Sequence, residues 1–213
     1  MDIGEHAACI KGDIWSFTNA DSIKMYKNGE FIKEYSSVYN NRFRYMDHSP
    51  TLIDDFIGEA LAREEDLKPR QVKLLTEALN YIARHGYGNL PPRILFKAAQ
   101  CMLLYGMRYN DIVDLYTKYA GDWGGNSTVY RFDAIVGGRV VKSVTKAPMT
   151  RAALSATAYR TKLHEDTSYD VGAIRISAVD ENRNTLVFSN EPISVRIDGP
   201  LQVVGPEVVS LRG

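Results

Sequence analysis

The stretch IWSFTNADSIKMYKNGEFIKEY, residues 14–35, decides how the chain begins to fold. Two runs rich in β-branched and aromatic residues flank Asn28 and Gly29, a dipeptide that readily takes the positive φ angles of a type I′ turn. The pattern therefore predicts a β-hairpin from about Ser22 to Tyr35. A shorter strand is expected before it, from Ile14 to Thr18, and it should end at Asn19-Ala20-Asp21, whose side chains favour a turn.

From Ser49 to about Ala120 the apolar residues recur at three- and four-residue steps, which is the spacing of amphipathic helices. The spacing predicts a small bundle of four helices: a short one over Leu52 to Ala62, a long one from Pro69 to Gly86, one capped by Asn89 that ends at Gly106, and one capped by Asn110.

Strand-like alternation returns in TVYRFDAIVGGRVVKSVTK, residues 128–146, around the two-residue turn Gly137-Gly138. The helices therefore lie between two β segments. The simplest arrangement is a β-sandwich formed by residues 1–147, with a helical insertion at about 49–121 and strands contributed from both sides of that insertion.

A second β domain is expected over residues 148–213, where RAALSATAY, VGAIRISAVD, EPISVRID and LQVVG predict short strands. These 66 residues are fewer than the roughly 100 of an immunoglobulin-type sandwich. We expect an incomplete second sandwich with an open sheet edge. The predicted fold class is mainly β with an α-helical insertion: two immunoglobulin-like β-sandwiches, the first interrupted by a helical bundle and the second truncated.

Composition excludes several classes of function. The 26 basic and 26 acidic side chains cancel, so no summed field attracts nucleic acid or a membrane surface. The two cysteines, Cys9 and Cys101, form neither a disulfide framework nor a thiolate metal site, which fits a reducing, cytoplasmic location. No signal peptide, membrane span or phosphate-binding loop is visible, and we expect no cofactor.

Four blocks of sequence carry a family resemblance. GDIWSFTNADSIKMYKNGEFIKEY, LIDDFIGEAL, the segment that begins GDWGGNSTVYRFDAIVGG, and the tail from YDVGAIRISAVDENRN to VVSLRG resemble, in the same order, the C-terminal accessory region of bacterial glycoside hydrolase family 2 β-galactosidases. The resemblance implies a non-catalytic fragment with an architectural or oligomerisation role. Its partner would be the remainder of the parent hydrolase, whose catalytic barrel would hydrolyse terminal β-galactosides with retention.

Asn190-Glu191-Pro192 resembles the acid/base motif of such glycosidases. A retaining hydrolase needs a second carboxylate about 5 Å from the first across the sugar, whereas Glu191 is predicted between short sandwich strands. We therefore predict no catalytic residue, and no metal site is expected because the four histidines share no ligand spacing. The other acidic pairs are expected to cap helices or face water.

One loop could contact sugar. Trp123 lies among glycines, where its indole face could stack on a galactose ring, with Asp122 and Asn126 binding hydroxyl groups. The competing interpretation is that Trp123 fills the junction between insertion and sandwich. A carbohydrate-binding module is thus the main alternative to the scaffold function. Homo-oligomer contacts through the insertion, an adhesin-like stalk and a self-sufficient glycosidase are further alternatives.

Overall fold

The computed structural model describes residues 10–37, 45–121 and 128–211. The chain divides into two compact units, Met1–Pro148 and Met149–Gly213. Roughly 25% of the residues lie in helices and 29% in strands, arranged as several small antiparallel sheets. The described residues therefore form a mixed, β-rich architecture and no barrel.

The first unit contains all of the helices among the described residues, together with six strands. In chain order these elements are β1 (Ile14–Ser16), β2 (Ser22–Lys27), β3 (Glu30–Ser36), β4 (Thr51–Ile53), α1 (Ala60–Glu64), α2 (Pro69–His85), α3 (Pro92–Tyr105), α4 (Tyr109–Tyr119), β5 (Tyr130–Val136) and β6 (Arg139–Lys146).

Both predicted hairpins are confirmed. Strands β2 and β3 pair antiparallel around Asn28 and Gly29, whose φ angles are 50° and 86°. Strands β5 and β6 pair in the same way around Gly137 and Gly138, with φ angles of 54° and 77°. Two positive φ angles in succession are the requirement of a type I′ turn, which these residue types meet at little steric cost.

The two hairpins join into one four-stranded antiparallel sheet with the order β3-β2-β5-β6. Strands β2 and β5 are its central pair, with Met25 opposite Phe132. The expectation that strands from both sides of the helical insertion share one sheet is therefore confirmed. Strands β1 and β4 form a separate two-stranded sheet in which Trp15 lies opposite Leu52.

The helix predicted over Leu52 to Ala62 is wrong. Residues 51–53 form β4, because the β-branched Thr51 and Ile53 pair with β1, and only Ala60–Glu64 is helical. Gly58 separates the two elements with a φ of 57°, and a Cβ there would lie 2.5 Å from the Ile32 carbonyl oxygen. The chain therefore needs glycine at this bend.

Two predicted helix caps are also wrong, although the helices themselves are confirmed. The N-cap of α3 is Pro91 rather than Asn89, since the two prolines place the first helical turn further along the chain. The N-cap of α4 is Arg108 rather than Asn110, and its backbone N–H donates to Asp111 Oδ2 at 2.7 Å. The carboxylate of Asp111 thus satisfies a donor that a helix start would otherwise leave unpaired.

One hydrophobic core holds the first unit together. It joins Met25 and Tyr130 from the sheet, Ile53 from β4, and Leu75 and Leu79 from α2, all almost fully buried. The ring of Phe56 meets that of Tyr130 edge to face, with centroids 5.9 Å apart. The helices therefore pack against residues of β2, β3 and β5, and their buried stripes provide much of the unit's stability.

The second unit contains four strands among its described residues: β7 (Ala153–Ala158), β8 (Ile174–Val179), β9 (Pro192–Ser194) and β10 (Val208–Ser210). Strand β7 pairs with β8, and β9 with β10, as two separate two-stranded sheets. The strand predicted in LQVVG is wrong: residues 201–205 are irregular, and the strand forms at 208–210, after Pro206. Few apolar side chains of this unit are buried, Ala178 and Leu186 among them.

Candidate functional site

The first unit has a groove along residues 11–17, which comprise β1, the segment leading into it and Phe17. The groove has a volume of about 550 Å³ and extends to Ile53 of β4, Phe132 of β5, and Val144 and Lys146 of β6. It therefore lies where the two-stranded sheet faces the end of the four-stranded sheet.

Burial distinguishes the floor of this groove from its rim. Ile53 is 1% exposed and belongs to the hydrophobic core, so it lies at the base. Phe17 is 77% exposed, and Val144 is partly exposed opposite Phe132 in the β5–β6 pair. Trp15 and Phe17 fall two residues apart, which places them on the side of the extended segment opposite Ile14 and its strand partner Ile53. Phe17 offers aromatic surface to solvent.

Polar groups accompany the aromatic surface. Asp13 Oδ1 accepts a hydrogen bond from Arg84 Nη2, which fixes the carboxylate from the C-terminal turn of α2. The backbone N–H of Gly12 donates to the Arg84 carbonyl oxygen at 3.0 Å and holds the segment against the same turn. Among the described lining residues Asp13 is the one carboxylate, and the two lysines are Lys11, which is buried, and Lys146.

Sequence reasoning did not find this groove. The residues that form it come from three regions, 11–17, 53 and 132–146, and only the pairing of β1 with β4 brings the first two together. The available local signal was the alternation in Ile14-Trp15-Ser16-Phe17, which puts two aromatic rings on one side of a strand.

The predicted sugar-contact residues Trp123, Asp122 and Asn126 lie outside the described residues. The hypothesis that they bind carbohydrate and the hypothesis that Trp123 fills a junction both stay predictions.

Glu191 lies directly before β9 and is exposed. Its carboxylate accepts a hydrogen bond from the Ser189 hydroxyl, which lowers the pKa of Glu191, with further lowering by the backbone N–H groups of Glu191 and Asn190. A general acid of a glycosidase needs the opposite shift. The geometry is that of an ionised turn carboxylate.

Asp55 organises the loop between β4 and α1. Its Oδ1 accepts hydrogen bonds from the backbone of Ile57 at 3.1 Å and Gly58 at 2.9 Å, and from Asn80 Nδ2 at 2.8 Å. Asn80 Oδ1 in turn accepts from the backbone N–H of Phe56 at 2.9 Å. This carboxylate therefore satisfies backbone donors, as expected for the acidic pairs.

A second carboxylate group surrounds Tyr119 at the end of α4. The Tyr119 hydroxyl lies 3.1 Å from Glu64 Oε2 and 2.7 Å from Glu65 Oε1, and Lys118 Nζ donates to Glu65 Oε1 at 2.8 Å. Hydrogen bonds from Arg63 to Glu64 and from Lys118 to Glu65 are the main reasons that the pKa of each glutamate is lowered. Burial raises the pKa of Tyr119 to about 12. Both carboxylates therefore stay ionised and link α1 to α4.

The side chains of two described histidines contact different partners. His48 Nδ1 lies 3.1 Å from the Ala20 carbonyl oxygen, and the His85 ring lies 4.4 Å from that of Tyr81. No group of three His, Cys, Asp or Glu side chains among the described residues could hold a metal ion.

The second unit has a groove of its own, of about 570 Å³, between its two small sheets. Aliphatic side chains such as Ile176, Leu186 and Val209 line it, and none of the described lining residues is aromatic or acidic. Arg175, Thr185, Ser177, Ser189 and Ser210 add polar groups to this lining. Of the two grooves, that of the first unit alone has aromatic side chains and a carboxylate among its described lining residues, and we take it as the candidate site.

Comparison with known proteins gives no assignment: no family model, no curated protein and no solved structure matches the chain. None of the described helices has the length and apolar character needed to cross a lipid bilayer.

Proposed function

We propose that the chain is a non-catalytic accessory region of a family 2 glycoside hydrolase related to bacterial β-galactosidases. The family assignment rests on the four sequence blocks, which the fold distributes over β1 to α1, over β5 and over the second unit. In this proposal the small antiparallel sheets belong to immunoglobulin-like sandwiches. The parent enzyme hydrolyses terminal β-galactosides with retention, in the cytoplasm, through glutamates outside this chain.

The ionisation of the carboxylates is the observation that carries the non-catalytic part of the proposal. Where the pKa of a described Asp or Glu departs from its ordinary value, hydrogen bonds or nearby cations lower it. These residues are Glu64, Glu65, Asp170, Glu181 and Glu191. Retaining hydrolysis needs a protonated carboxyl group facing an ionised one. The single carboxylate of the groove, Asp13, is ion-paired with Arg84 instead.

The exposed surface of α3 supports an architectural role. Helical spacing puts four of its exposed apolar side chains, Leu95, Phe96, Met102 and Leu103, on one stripe, and Leu103 is 84% exposed. A contiguous apolar stripe of this kind is typical of a protein–protein contact. In the proposal it packs against the remainder of the parent hydrolase.

Turnover by the purified chain tests the non-catalytic part. A chromogenic β-galactoside should be hydrolysed no faster than in buffer, and Glu191→Gln should change nothing. Turnover that a substitution of one acidic residue abolishes would contradict the proposal.

Association with the parent tests the architectural part. We expect the barrel-containing segment encoded in the same reading frame to co-purify with the chain, and Leu103→Glu to weaken that association at least about tenfold. Thr117→Glu places the same new charge at an exposed position of α4 and is the matched control. A reading frame that encodes no such barrel, or equal association of both variants, would refute this part.

A further inference from the structure

One edge of strand β8 in the second unit is open along most of its length. On its other edge β8 pairs with β7 over all 6 of its residues. On the open edge the described residues provide a bridge only at the end of the strand, between Val179 and Thr185. The chain then turns away, and the Ser189 N–H donates to the Leu186 carbonyl oxygen at 3.2 Å. Among the described residues, no strand therefore lies beside residues 174–177 on that edge.

Two hydrogen bonds show which backbone groups face the open edge. The Ala173 carbonyl oxygen accepts a hydrogen bond from the residue after β7, at 2.9 Å. The Ala178 carbonyl oxygen accepts one from the Leu186 N–H, on the opposite side, at 2.9 Å. In an antiparallel strand both backbone groups of a residue point to the same edge, and successive residues alternate between the two edges. The N–H and C=O groups of Ile174 and Ile176 therefore point to the open edge.

An aliphatic surface accompanies these backbone groups. The groove of about 570 Å³ between the two small sheets is lined by Ile174 and Ile176 of β8, Ile193 of β9 and Val209 of β10. Ile174 is 64% exposed. An added β-strand satisfies such a surface, because it supplies main-chain hydrogen bonds along the edge and apolar side chains at alternate positions. A lipid or another purely apolar ligand would leave the backbone groups unsatisfied.

Charge indicates which strand fits the edge. Arg175 lies between the two isoleucines, is exposed, and is the one charged residue among the described lining residues of this groove. If two copies of β8 paired about a two-fold axis through both isoleucines, Arg175 would lie directly opposite Arg175 of the second copy, with Cα atoms about 4.5 Å apart. Like charges at directly opposite positions destabilise a strand pair. This disfavours a second copy of β8 and favours a strand with an acidic residue at that position.

We propose that the open edge of β8 accepts an antiparallel strand from another polypeptide, with the pattern apolar–acidic–apolar. The two apolar residues exchange main-chain hydrogen bonds with Ile174 and Ile176, and the acidic residue lies opposite Arg175. Side chains at directly opposite positions share one face of a sheet, so the apolar pair extends the aliphatic surface of the groove. The inference does not depend on the proposed function, because it rests on the strand pairing and charge of the second unit alone.

Capped pentapeptides test this pairing on the full chain. In calorimetric titrations, acetyl-Thr-Val-Glu-Val-Thr-amide should bind saturably with a Kd below about 1 mM. The same peptide with lysine in place of glutamate should bind at least about fivefold more weakly. N-Methylation of both valines removes the amide hydrogens that face β8 and should abolish binding. N-Methylation of the glutamate, whose N–H points away from β8, should change the Kd by less than about twofold.

A charge reversal locates the binding at β8. Arg175→Glu should bind the lysine peptide more tightly than the glutamate peptide, because the pair of opposite charges is then restored. Arg196→Glu makes the same change at an exposed arginine of the second unit outside the groove, and it should keep the preference of the unsubstituted chain. Circular dichroism of both variants checks that they are folded.

Four results would overturn the proposal: no binding of the glutamate peptide up to about 5 mM, equal affinities of the unsubstituted chain for the two peptides, unchanged binding after N-methylation of both valines, or an unchanged preference in Arg175→Glu. Analytical ultracentrifugation tests the other occupant of the edge. A dimer of the unsubstituted chain that dissociates when the glutamate peptide is added would assign the edge to a second copy, and would also overturn the proposal.

Discussion

The Nζ atom of Lys11 lies 2.9 Å from the carbonyl oxygen of Ala120, and this hydrogen bond joins the segment before β1 to the end of α4. Lys11 is only 5% exposed, between the rings of Phe56 and Tyr130. Lys27 of β2 donates to the neighbouring Tyr119 carbonyl oxygen at 2.7 Å. Two cations from the β segment thus bind the negative end of the last helix, where a positive charge is most favourable.

Replacing Lys11 should destabilise the first unit. Lys11→Met keeps most of the apolar side chain but removes the ammonium, and we expect a loss of about 2 kcal/mol, as for other hydrogen bonds to charged groups. Urea unfolding followed by circular dichroism measures this loss. Lys142→Met, at an exposed position of β6, is the control, and its free energy of unfolding should stay within about 0.5 kcal/mol of that of the unsubstituted chain. Equal stabilities of the two variants would show that the buried ammonium contributes nothing.

The hydrogen bond from Asn80 to Asp55 predicts that the stability of one variant depends on pH. Asn80→Asp replaces the Nδ2 donor by a carboxylate oxygen that faces Asp55 Oδ1, formerly 2.8 Å from the amide nitrogen. At pH 7 we expect a loss of about 3 kcal/mol from charge repulsion and the lost hydrogen bond.

Acid should reverse much of that loss. As the pH falls, one of the two carboxyl groups takes up a proton and can then donate a hydrogen bond to the other. The variant should therefore approach the unsubstituted chain in stability at about pH 4. Thermal melts between pH 7 and pH 4 measure the difference. Asn89→Asp, in the exposed loop before α3, should show no such recovery, and a pH-independent deficit in Asn80→Asp would contradict the assignment.

Tyr119 should make the first unit sensitive to alkali. Its pKa is raised from 10.0 to about 12, mainly by burial, so the folded state keeps a proton that the unfolded state loses. The stabilisation is therefore complete below pH 10 and decreases as the pH rises from 10 to about 12.

The measurement compares urea unfolding at pH 9 and pH 11. At pH 9 we expect Tyr119→Phe to be less stable than the unsubstituted chain by about 1 kcal/mol, a small loss because the glutamates are partly solvated. Between pH 9 and pH 11 the variant should lose less stability than the unsubstituted chain. Tyr159→Phe replaces an exposed tyrosine of the second unit, and its stability should change with pH as that of the unsubstituted chain does. If the stability of Tyr119→Phe and that of the unsubstituted chain changed equally with pH, this contribution of Tyr119 would be ruled out.

The first unit should fold without the second. Among the described residues, its hydrophobic core and the side chains packed against it end at Phe132, and the division into units falls after Pro148. A chain of residues 1–148 should therefore unfold cooperatively, with a midpoint within a few degrees of the corresponding transition of the full chain. Calorimetry of both chains checks this. A fragment with near-native helix content but no cooperative transition would show that residues 149–213 stabilise the core.

Local sequence signals predicted the hairpins and the long helices, because the Asn28-Gly29 and Gly137-Gly138 turns and the stripe of α2 are decided by neighbouring residues. They failed over residues 51–62, where β4 exists only because β1 pairs with it. The groove was missed for the same reason, since it depends on contacts between distant segments rather than on any motif.

The order β3-β2-β5-β6 also governs when the sheet can form during synthesis. Strand β2 leaves the ribosome about a hundred residues before its partner β5. At about 5–20 residues per second that delay lasts roughly 5–20 s. Throughout it the first hairpin carries an unpaired inner edge, which another nascent chain could occupy. That edge is closed only when β5 pairs with β2, so the sheet is completed after the intervening helices have been synthesised.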